Sequence, residues 1–217
     1  MFGKKSRRNQ LPNSHVRGMF STEKLVMEPH SNKQFMQLGR ALRKFCARDG
    51  QRVILRTPRM EDLDNLMELI NSLVDEKAEI ARTEKVTREE EAEWLPRMLS
   101  SLEKNELFFL VAEVDGELVG SSDLDVLPGD EKHVGVLGIV IKKGFRNMGI
   151  GTEMMKTLVD EATALGLKLL MLHVFATNER AIYVYEKTGF LQTDRIPKKH
   201  FRQGQYIDEV VMTKSIE

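Results

Sequence analysis

FRNMGIGTEMM, residues 145–155, sets an arginine and two closely spaced glycines between an apolar run, HVGVLGIVI (133–141), and a segment with helical spacing. Ile150, Met154, Met155, Leu158, Val159, Ala162 and Leu165 trace one apolar stripe, and Gly166 can end the helix. The stretch therefore reads as strand, glycine loop and helix, an arrangement in which unpaired N–H groups at a helix N-terminus grip an anion. Spacing decides which anion. A dinucleotide loop needs G-x-G-x-x-G, and Met154 stands where the third glycine belongs. A triphosphate loop needs G-x-x-x-x-G-K-[ST]; Gly144 and Gly149 have the interval, but Ile150-Gly151 replace the lysine and the hydroxyl residue. Without that lysine and a magnesium ligand, nucleotide triphosphate chemistry has no machinery. The pattern left standing is [RQ]-x-x-G-x-[GA], met by Arg146, Gly149 and Gly151.

Outward from this loop the chain alternates strands and helices. RVILR (52–56) reads as a strand, followed by a helix with Thr57 as N-cap, Pro58 in the first turn, and Leu63, Leu66, Met67 and Ile70 on one face. A second helix over about 87–104 carries Trp94, Leu95, Met98 and Leu102, with Trp94 read as core. LFFLVAEV, the turn Asp115-Gly116, ELVGSSDLDVL and HVGVLGIVI form an antiparallel meander. Beyond the glycine loop and its helix come a strand, KLLMLHVF, a short helix, NERAIYVYEKT, and two strands, GFLQT and QYIDEVVMTKSI.

The 217 residues suffice for one domain with an appendage, and 41% hydrophobic with 30% charged residues is ordinary for a soluble protein. No run reaches the roughly 18 uncharged apolar residues of a membrane helix, and no early run resembles a secretory signal, so a cytoplasmic protein without membrane partners is expected. The lone Cys46 excludes an intrachain disulfide and a Cys-rich metal cluster, and reads as a small buried hydrophobe. Zero net charge hides an asymmetry. Residues 1–50 hold eleven Lys and Arg against three acids, net +8, which leaves −8 on residues 51–217.

The division suggests a basic N-terminal extension, 1–50, ahead of a main domain, 51–217. Residues 1–20 read as a basic tail. SNKQFMQLGRALRKFCARDG (31–50) reads as an amphipathic helix on Phe35, Leu38, Leu42 and Phe45, with Arg40, Arg43, Lys44 and Arg48 crowding its polar face. A dimerising role for this helix, and hence a homodimer, is one alternative. A nucleic-acid or ribosome-binding arm is another, weakened by the absence of interleaved aromatics.

Downstream, Asn178, Ala181, Tyr185, Gly189 and Phe190 follow the loop in the order N-x-x-A-x-x-x-Y-x-x-x-G-F. With both motifs present, residues 51–217 resemble the GCN5-related N-acetyltransferase superfamily, and the ending KKHFRQGQYIDEVVM resembles its subgroup acting on small amines or free amino acids. The resemblance implies an α/β (α+β) fold with a mixed, mostly antiparallel sheet of about six to seven strands flanked by about four helices. It implies acetyl-coenzyme A as cosubstrate, no metal, and transfer of acetyl to a primary amine. The alternatives are a protein N-terminal or lysine acceptor, and a non-catalytic acyl-coenzyme A binder.

By the same resemblance, Arg146, Asn147, Met148, Gly149, Ile150, Gly151 and Thr152 cradle the pyrophosphate. Ile139, Val140 and Ile141 offer backbone groups to the pantetheine arm and thioester, and Asn178, Ala181 and Tyr185 complete the cofactor site. Tyr185 is the candidate acid for the departing thiolate; Tyr183, two residues away on the helix, faces another direction. His173, twelve residues before Tyr185, stands where related ribosomal-protein alanine acetyltransferases carry a glutamate, and is the candidate base. Asp123, Asp125 and His133 are alternative bases. His15, His30, His133, His173 and His200 lack the helical H-x-x-x-H spacing of a zinc site.

Overall fold

Residues 36–216 are described by the structure, a computed structural model. Eight strands form one sheet: β1 (Ala41–Cys46), β2 (Arg52–Arg56), β3 (Leu107–Val114), β4 (Glu117–Val126), β5 (Val134–Ile141), β6 (Leu169–Phe175), β7 (Leu191–Arg202) and β8 (Gln205–Ser215). Their spatial order is β1-β2-β3-β4-β5-β6-β8-β7, antiparallel throughout except for the parallel β5–β6 pair. Four helices flank it: α1 (Leu63–Asp75), α2 (Arg88–Glu103), α3 (Ile150–Ala164) and α4 (Glu179–Lys187). The mixed, mostly antiparallel sheet with four helices agrees with expectation, and the strand count is higher.

Alternation along β5 places the helices. Val140 packs with Ile70 and Leu73 of α1, whereas Ile139 and Ile141, pointing the other way, meet Gly151 of α3. The two helices thus cover opposite faces. α2 begins at Thr87, whose hydroxyl accepts from the Glu90 amide while the Glu90 carboxylate accepts from the Thr87 amide.

Three local readings are corrected. Residues 41–46, expected on a helix, form β1, so the sheet begins inside the segment assigned to the extension; residues 1–35 lie outside the described residues. Four apolar residues are too few to separate the two periods, and a ladder to β2 outweighs local helix propensity. Cys46, at the end of this edge strand, is exposed rather than buried. The helix after β2 starts at Leu63, not near Thr57, whose hydroxyl instead donates to the Gln37 carbonyl at 2.7 Å and accepts from the Arg40 amide at 2.9 Å.

A buried ion pair sets the start of α1. Arg56 donates to both oxygens of Asp62 at 2.6 and 2.7 Å and to Glu113 at 2.7 Å, and the Arg59 amide also donates to Asp62.

Candidate active site

The β5–β6 ladder covers only Val134–Val136 against Leu169–Met171. β5 then continues along β4 to Ile141, while β6 continues along β8 to Phe175. The sheet therefore splits, and among the described residues β5 has no strand partner on its β6 side from Leu137 onward. Alternate backbone groups along that edge point into the gap.

The open edge leads into the glycine loop. Gly144, Asn147 and Gly149 adopt positive φ, and Gly149 (φ 89°) is the N-cap of α3 with no side-chain cap. The first amides of α3 thus point outward without a capping side chain. The two glycines have different reasons. A Cβ on Gly149 would meet nothing within 4 Å, so its need is conformational. A Cβ on Gly151 would lie 3.1 Å from Ile141 Cδ1, so its absence lets α3 approach β5.

A cavity of about 330 Å³ occupies the gap and loop. Ile139, Val140, Ile141, Arg146, Asn147, Gly149, Gly151, Thr152, Asn178, Ala181 and Tyr185 all line it. Ile150 is instead buried, Met148 packs against the core, and His173 is not among the lining residues. Asn178 caps α4, its side-chain oxygen accepting from the Ala181 amide at 3.2 Å. Tyr183, expected to face elsewhere, also lines the cavity, largely exposed at its rim, with Tyr185 deep inside. Arg48, Lys77, Arg180 and Lys187 bring positive charge that no spacing announced, because they come from separate elements.

Electrostatics mark the gap as well. Burial, then the negative charge of Asp123, pushes the Tyr185 phenol above its ordinary value. Burial, then the charge of Asp125, holds the Asp123 carboxyl well above the usual carboxylate range, and burial raises Asp125 to about 6. Asp123 Oδ1 and Ser122 Oγ are buried without hydrogen-bond partners among the described residues. Asp123 pairs with Gly138, two residues beyond the last β5–β6 rung, so this carboxyl stands at the fork.

His173, on the β6 wall, has Nδ1 2.8 Å from Glu209 Oε1, and His200 Nε2 lies 2.8 Å from Oε2 of the same buried carboxylate. His133 is exposed at the closed end of the β5–β6 ladder, away from the gap. His15 and His30 lie outside the described residues.

Comparisons with known proteins agree with this geometry. Residues 67–190 match the model of the acetyltransferase (GNAT) family. L-amino acid N-acetyltransferase AaaT of Escherichia coli (strain K12) is 32% identical over 107 residues, covering 48% of this chain and 66% of that protein, just under two thirds of its length. An acetyltransferase of the GNAT family from Streptococcus pneumoniae has a TM-score of 0.68 at 26% identity, covering 76% of this chain and 99% of that one. yncA of Salmonella typhimurium, solved with its cofactor acetyl-CoA, has a TM-score of 0.67 at 20% identity, covering 76% and 94%. A family model matching more than half of the residues, on a sheet forked beside an uncapped helix N-terminus, makes this chain a member of the acetyltransferase (GNAT) family.

Proposed function

We propose that the chain transfers the acetyl group of acetyl-coenzyme A to a primary amine of a small molecule or amino acid. The observation that carries this reading is the β5 edge, left open beyond Val136 and running directly to the uncapped start of α3. Such an edge can pair with an extended, amide-bearing arm while the helix N-terminus meets its phosphates. Acetyl-coenzyme A supplies an activated thioester. The residues of the gap supply the rest.

Alternate amides of Ile139–Ile141 would polarise the thioester carbonyl. An alkyl ammonium holds its proton to about pH 10.4 and a thiol to about 8.5, so the acceptor needs a base and the leaving sulfur benefits from an acid. Tyr185, kept protonated by burial, suits the acid. Asp125, raised to about 6, and His173, oriented by Glu209, flank the fork as base candidates. A net charge of −8 over residues 51–217 favours a cationic acceptor.

The test is thiol release from acetyl-coenzyme A across amino acids, polyamines and N-terminal peptides. Acceptor-dependent release, strongest with a small amine or amino acid, supports the reading. Release only with peptides would move the acceptor to proteins, and coenzyme A binding without release from any acceptor would leave a non-catalytic binder.

A further inference from the structure

Arg146 is the residue to which the loop pattern gives the phosphate charge, yet the chain itself already engages its guanidinium. Nε donates to the Ile141 carbonyl at 2.8 Å, Nη1 donates to Glu76 Oε2 at 3.3 Å, and Nη2 donates to Glu76 Oε1. One carboxylate thus neutralises one arginine. Glu76 ends α1, and the connection that follows it lines the cavity through Lys77, Ala78, Glu79 and Ile80. That connection is also tied by Thr177, which donates to Glu79, and by Arg202 Nη1, which donates to the Ala78 carbonyl at 2.9 Å. The Glu76–Arg146 pair joins the end of α1 to the end of β5.

Arg48 is placed differently. It sits in the β1–β2 turn, which the Gly50 amide closes on the Ala47 carbonyl at 3.0 Å, and its own amide donates to the Met148 carbonyl at 3.1 Å. Its Nη1 donates to the Asn147 carbonyl at 3.3 Å, so the side chain reaches the glycine loop and lines the cavity. Among the described residues no carboxylate pairs with it, and four of its five guanidinium N–H donors find no partner. The hairpin that carries it is anchored on α3, where Arg43 donates to Glu153 at 2.7 Å and to Asp160 at 2.9 Å. This hairpin lies outside the residues that match the family model.

We propose that Arg48, delivered by the N-terminal hairpin, is the cation that binds a phosphate of coenzyme A, and that Arg146, held by Glu76, ties α1 to β5 instead. The proposal rests on the acetyl-coenzyme A reading. The shared chemistry is a phosphate oxygen accepting from a guanidinium. It can come from the pyrophosphate beside the loop or from the ribose 3′-phosphate.

The experiment is calorimetric titration of the full chain with coenzyme A and with dephospho-coenzyme A, at low and high salt. Arg48→Gln is expected to raise the Kd for coenzyme A about tenfold at low salt, and less at high salt. Glu76→Gln, which frees the Arg146 charge, is expected to lower it. A loss with Arg48→Gln that persists for dephospho-coenzyme A assigns the contact to the pyrophosphate, and one that vanishes assigns it to the 3′-phosphate; either supports the proposal. A Kd for Arg48→Gln within twofold of wild type overturns it. If the wild-type protein binds no coenzyme A, the acetyl-transfer reading falls and takes this proposal with it; if it binds and Arg48→Gln has no effect, only the proposal falls.

Discussion

Replacing Tyr185 by Phe removes one oxygen from a residue that is only 4% exposed, and the structure says what should and should not change. The hydroxyl has no hydrogen-bond partner among the described residues, so its loss strands no buried donor or acceptor. The ring keeps its packing against Phe190, 6.2 Å away between centroids. Thermal stability should therefore hold or rise, and coenzyme A affinity should stay within about twofold. Turnover should not.

Without an acid the sulfur must leave as a thiolate, and positioned general acids are worth about 10²–10⁴-fold, or about 2.7 kcal/mol at the lower end. The pH dependence has a definite sign. Burial favours the neutral phenol and raises its titration above the ordinary value of about 10, so Tyr185 stays protonated through the assay range and creates no basic limb there. Stopped-flow thiol release with saturating acceptor, beside calorimetric titration of coenzyme A, measures both quantities. Unchanged turnover in Tyr185→Phe would refute the acid role, and a wild-type basic limb below pH 9 that disappears in the variant would refute the raised titration of the phenol.

Asp123 and Asp125 are both raised by burial, so each stabilises the fold most when protonated. That contribution is full below about pH 4 and fades as pH rises through about 6 for Asp125. Urea unfolding between pH 4.5 and 7.5 should show this decline, and Asp125→Asn should flatten it; a slope unaffected by the substitution would contradict the assignment. Asp62→Ala leaves the Arg56 guanidinium, 5% exposed, with only Glu113 as a carboxylate partner, and is expected to cost about 3 kcal/mol in chemical denaturation. A loss below about 1 kcal/mol would show that water reaches the pair. Glu209→Gln should switch or mix the His173 tautomer, read by ¹⁵N imidazole shifts, because a carboxylate that accepts at Nδ1 keeps the proton on that nitrogen; an unchanged tautomer would deny Glu209 that role.

What was legible in the chain was whatever rests on local period and short spacing. The α3 stripe, the Asp115-Gly116 hairpin, the loop glycines and the Asn178–Phe190 run each need only a dozen neighbouring residues, and each stands where it was expected. The fork was not legible, because it depends on where a β5–β6 ladder stops, and no residue type marks that rung. Partners far apart in sequence were hidden too: Glu76 and Arg146 are separated by 70 residues, His173 and Glu209 by 36. β1 was misread because Leu42 and Phe45 suit a helix or an edge strand equally, and the decision fell to pairing with β2. Arg146 lines the cavity, as its place in the loop pattern suggests, and has in addition the Glu76 carboxylate as a partner that no spacing announces.

Acetyl-coenzyme A lying along the open β5 edge, with its phosphates at the start of α3, would cover both segments at once. Amide hydrogen exchange resolved by residue, with and without acetyl-coenzyme A, measures that cover. Added ligand should slow exchange in Ile139–Ile141 and in Gly149–Thr152 together, with little change along the β3–β4 ladder. Protection confined to other segments, or none at saturating ligand, would contradict that placement.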